Sequence, residues 1–71
     1  METGLSRARK AANLVCDFLT ENKNWYSFEE IVEKIKEQNS DVLVGEIKAA
    51  IWRLIDGGVV YLSSYGLVKI K

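Results

Sequence analysis

The pair Gly57-Gly58 constrains this chain more than any other feature, because the hydrophobic period changes across it. Upstream, Val44, Ile47, Ile51, Leu54 and Ile55 recur at the spacing of one helix face. Downstream, Val59-Val60-Tyr61-Leu62 is β-branched and aromatic, Ser63-Ser64-Tyr65-Gly66 supplies turn residues, and Leu67-Val68-Lys69-Ile70-Lys71 alternates. The pattern predicts a helix that stops at Asp56 on the glycines, followed at once by a β-hairpin. Val68 and Ile70 fall on one face of the hairpin, and Leu67, Lys69 and Lys71 on the other.

The earlier segments read as two further helices and one short strand. From Leu5 to about Glu21, Ala8, Ala11, Ala12, Leu14, Val15, Phe18 and Leu19 form an apolar stripe, with Arg7, Arg9, Lys10, Asp17 and Glu21 outside it. Thr3 or Ser6 is its expected cap. Trp25-Tyr26 suits a strand of one or two residues. Ser27 followed three residues later by Glu30 has capping-box spacing. It opens a second helix to about Gln38 that buries Phe28, Ile31, Val32 and Ile35. Asn39-Ser40-Asp41 is the expected break and the next N-cap.

Seventy-one residues make one small domain, and the composition narrows its chemistry. Histidine is absent, which removes the commonest general base and metal ligand, and the single Cys16 makes neither a zinc site nor a disulfide framework. No phosphate-binding glycine loop, CxxC, HExxH or GxSxG is present. The carboxylates Glu29, Glu30, Glu33 and Glu37 have the spacing of a solvated face paired with Lys34 and Lys36. An enzyme is not expected, and neither is a cofactor or metal. No apolar run approaches the ~18 residues of a membrane span, so a cytoplasmic location is expected. Lys and Arg number ten, as do Asp and Glu. This balance withholds the cationic excess usual in nucleic-acid binders and leaves only local patches to do that work.

The order helix, short strand, helix, helix, hairpin, together with Ile51-Trp52-Arg53-Leu54-Ile55-Asp56-Gly57-Gly58-Val59-Val60, resembles the winged helix-turn-helix fold. The resemblance covers almost the whole chain and implies an α+β, mostly helical single domain over residues 1–71, with a C-terminal wing. Such domains include DNA-binding regulators, RNA binders and protein-binding modules. The distance from Ile35 to Ile47 exceeds that of a compact helix-turn-helix, so helix two has an extra turn or the connection is a loop. The Z-form-binding subfamily is excluded, because its wing needs a proline.

If the third helix reads DNA, its outer face carries Val42, Gly45, Glu46, Ala49, Arg53 and Asp56, flanked by Lys48 and Trp52. Lys48 and Arg53 are its donors for guanine edges or phosphates. Ser63, Ser64 and Tyr65 at the wing tip, with Lys69 and Lys71 along one edge, are candidate phosphate contacts. Arg7, Arg9 and Lys10 oppose the dipole of helix one and call for an anion, either a phosphate backbone or Glu2. The first expectation is therefore a dimeric DNA-binding transcriptional regulator using Lys48, Trp52, Arg53, Ser64, Tyr65, Lys69, Arg7 and Arg9. The alternative is a protein-interaction module, part of an assembly or an inhibitor of a host factor. It would use the small-residue strip Gly45 and Ala49 beside Trp52 for a partner or second copy. Trp52 also has a plain structural reading, packed against helix two or under the hairpin.

Overall fold

The computed structural model describes residues 4–71, with side chains from residue 6 onward. Helix α1 spans Gly4–Glu21, strand β1 Tyr26–Ser27, α2 Phe28–Gln38, α3 Val44–Asp56, β2 Val60–Leu62 and β3 Leu67–Ile70. The result is a mostly helical α+β fold, three helices with a three-stranded antiparallel sheet. The caps considered at Thr3 and the anion at Glu2 lie outside the described residues.

Ser27 ends β1 and caps α2. Its hydroxyl accepts from the Glu30 N–H at 3.1 Å, and the Glu30 carboxylate accepts from the Ser27 N–H at 3.1 Å. Two N–H groups left without helical partners are thereby satisfied. At the far end the Asn39 N–H donates to the Ile35 carbonyl at 2.8 Å. The connection to α3 is a loop, not an extra turn of α2.

The glycine pair builds a Schellman motif. Val59 N–H donates to the Leu54 carbonyl at 2.9 Å and Gly58 N–H to the Ile55 carbonyl at 3.1 Å. Gly58 takes φ of +73°, a left-handed conformation that a Cβ would strain. The hairpin leaves this cap directly. Its strands are arranged β1-β3-β2, with Val68 opposite Tyr26 on one side and Leu62 on the other.

One core fills the space between the helices and the inner sheet face. Ala11, Val15 and Leu19 from α1 meet Ile31 and Ile35 from α2, Ile47, Ala50 and Ile51 from α3, and Val60 and Val68 from the sheet. The closest helix pairing is α1 on α3.

Three expectations for α3 are corrected. Val44 was placed in the core but is 43% exposed, whereas Val42, assigned to the outer face, is 4% exposed. Side chains of a helix lean towards its N-terminus, and ahead of Val44 the turn is already filled by Val42. Lys36 fixes that loop by donating to the carbonyls of Ser40 and Val42, each at 3.0 Å. The N-cap is Leu43, not a residue of Asn39-Ser40-Asp41. Leucine has no acceptor, so only the return bond forms, with Glu46 accepting from the Leu43 N–H at 2.9 Å. Ala50 joins the core in addition to the expected set.

The two kinds of glycine separate in a stability measurement. Gly58→Ala is expected to lower urea-unfolding stability by about 1–2 kcal/mol, the cost of a side chain in left-handed backbone. Gly45→Ala, within α3 and with open space at its Cβ, is expected to raise it by up to ~1 kcal/mol.

Candidate nucleic-acid interface

The exposed face of α3, the start of α2 and the tip of the β2–β3 hairpin enclose one open groove. Lys48 and Trp52 of α3, Phe28 and Glu29 of α2, and Leu62, Tyr65 and Gly66 of the hairpin line it. Trp52 rests on Phe28 with ring centroids 5.3 Å apart and tilted by 56°, yet half of it stays in solvent at 51%. It therefore packs against α2, as its plain structural reading has it, while about half of its surface faces solvent. Tyr65 is 89% exposed at the hairpin tip. The turn beneath it is fixed by the Ser63 hydroxyl, which accepts from the N–H groups of Tyr65 at 3.2 Å and Leu67 at 3.0 Å. Ser64 is exposed beside Tyr65.

Arg53 lies on the adjoining side of α3. There Gly45, Ala49 and Ala8 line a shallow groove between α3 and α1. A backbone this lightly covered can approach another surface closely.

The basic cluster of α1 is arranged differently from the expectation. Arg7 grips Glu46 with both arms of its guanidinium, Nε to Oε2 at 2.8 Å and Nη2 to Oε1 at 3.1 Å. Lys10 donates to Asp41 at 2.9 Å. Two carboxylates, Asp41 in the α2–α3 loop and Glu46 in the first turn of α3, thus offer anions to this end of α1. The Arg7 side chain stays 43% exposed beside its bridge. Arg9 is exposed.

These contacts leave a mark on titration. The Arg7 hydrogen bond, then that from the Leu43 N–H, holds the Glu46 carboxyl below its ordinary range, with the Arg7 charge adding to them and burial and the Asp41 charge opposing. The Lys10 hydrogen bond, followed by a backbone hydrogen bond and the Lys10 charge, does the same for Asp41.

Lys69, expected along an edge of the wing, lies instead on the outer face of the central strand, its Nζ 5.9 Å from the centre of the Trp25 ring. Beside it Lys71 lies over Tyr61 at 5.0 Å. Trp25 and Tyr61 were not among the expected site residues, nor were Phe28 and Leu62. Alternation along the hairpin puts Tyr61 and Lys69 on one face, but the partner Trp25 comes from a strand more than thirty residues earlier.

Among the described residues no group of three or more His, Cys, Asp or Glu is arranged to hold a metal ion, and no helix is long and apolar enough to cross a membrane. A comparison with family models, curated proteins and solved structures finds no match.

The Arg7–Glu46 bridge has a pH signature. A carboxyl whose pKa is depressed by folding stabilises the fold above its unfolded pKa and loses that contribution as pH falls through the folded value. The stability difference between the parent and Glu46→Gln is therefore expected at neutral pH, should begin to shrink as pH falls past the unperturbed carboxyl value of about 4.3, and should vanish below the lower folded value. Urea unfolding at several pH values measures it; a difference that persists at the acid end contradicts the assignment.

Proposed function

We propose that this chain is a winged helix-turn-helix domain that binds double-stranded DNA, a non-enzymatic transcriptional regulator acting in the cytoplasm as a dimer. Helix α3 is the element presented to the major groove, and the β2–β3 hairpin is the wing. The observation that carries this reading is the convergence of Lys48 and Trp52 with the exposed wing-tip Tyr65 around one groove. Arg53 stands on the adjoining side of the same helix.

Charge on α3 supports the reading. Glu46 would repel phosphate, but the Arg7 fork neutralises it. Lys48 and Arg53 then outnumber Asp56, the remaining acid of the helix. Gly45 and Ala49 allow the backbone to sit deep between base edges, while Ser64 and Arg9 are placed in solvent for phosphate contacts. One such module meets few phosphates, so two copies raise affinity to a useful level.

A second reading has its own observation. Leu43, Val44, Trp52, Leu62 and Tyr65 are all more than 40% exposed, an apolar content that suits a protein partner. The two readings differ in salt dependence. Binding to random duplex DNA should weaken steeply with log salt, and Lys48→Ala should weaken it on all sequences and lower the slope by about one. Absence of duplex binding at low salt, with Trp52→Ala remaining folded but losing a protein contact, would establish the second reading instead.

A further inference from the structure

We infer that the outer face of the sheet is a second binding site, for single-stranded nucleic acid. It rests on Trp25 and Tyr61, two half-exposed rings, with Lys69 and Lys71 lying over them. It does not depend on the duplex reading of α3.

The net charge of zero conceals how unevenly charge is distributed. Residues 22–28 and 57–71, which form the sheet and its connections, contain Lys23, Lys69 and Lys71 and no acidic side chain. The same two stretches hold five of the seven aromatic residues of the chain, Trp25, Tyr26, Phe28, Tyr61 and Tyr65. Tyr26 and Phe28 pack against the core. Trp25 and Tyr61 do not, and their exposures are 42% and 53%.

Register places these groups in a row. Tyr61 is directly opposite Lys69 on β3, and Tyr26 opposite Val68 brings the preceding Trp25 beside Lys69 from the other side. The two rings flank the central strand at about 10 Å, twice the spacing of neighbouring strands. An aromatic face offers stacking to any base, and a cation between two such faces suits the connecting phosphate. A lysine over an exposed ring is held weakly, so a base can take its place while the ammonium turns to the phosphate. The bases of a duplex are already stacked and have no free face to offer, which assigns the site to unpaired strands.

The test is fluorescence anisotropy of a labelled oligothymidylate about 10 nucleotides long, titrated with the full chain at about 20 mM salt. Binding is expected, with Tyr61→Ala weakening it by about 5-fold or more and Tyr61→Phe preserving it. Lys71→Gln should lower the salt slope by about 0.7. In a Trp52→Phe background Trp25 is the remaining tryptophan, and the oligonucleotide should quench it. Unlabelled duplex should not displace the oligothymidylate, and Tyr61→Ala should leave duplex binding unchanged, so the two sites succeed or fail separately. Circular dichroism confirms that each variant is folded. Absence of oligothymidylate binding overturns the inference, as does binding that Tyr61→Ala leaves intact or that duplex competes away.

Discussion

Strand β3 holds the two halves of the molecule together. It pairs with β2, its neighbour in sequence, and with β1, about forty residues earlier. Val68 sits at the crossing, opposite both Tyr26 and Leu62 and wholly buried. Burying one such side chain contributes roughly 1.5–3 kcal/mol, a large share of the ~3–5 kcal/mol that so small a core supplies. Without that strand β1 would have no partner, the hairpin would lose its anchor against the helices, and neither face of the sheet would exist as a surface.

Electrostatics then sorts the surface that this framework creates. The bridges from α1 to the α2–α3 loop and the first turn of α3 pair opposite charges, Arg7 with Glu46 and Lys10 with Asp41, so that these acids are balanced locally. Because these pairs are exposed, their contribution to stability is modest. Their larger effect is on what remains: Lys48 and Arg53 on α3, and Lys69 and Lys71 on the sheet. A chain with equal numbers of acids and bases can still present cationic faces when its acids are spent internally or gathered on α2.

Much of the architecture was legible in local signals. The Ser27 and Glu30 spacing is a capping box because both bonds close within one turn. The Gly57-Gly58 pair is a helix stop because its left-handed backbone satisfies the last carbonyls. The core stripes of α1 and α2 follow from 3.6-residue periodicity alone. The start of α3 was misread because Val42 and Val44 are equally apolar, and which one is buried depends on a loop held by Lys36 from another helix. The candidate site was only partly legible for a similar reason. Trp52 and Tyr65 line one groove, but the partners of Arg7 and Lys69 come from distant segments.

Sequence alone therefore determined the element order, the start of α2, the end of α3 and the alternation along the hairpin, since each depends on residues within one turn or one hairpin. Tertiary structure decided which charges are neutralised and which aromatic rings gather on a common surface. Glu46 and Trp25 each reach their partner only after the chain has folded back. Contacts between segments so far apart are set by packing of the whole core, which no local pattern encodes.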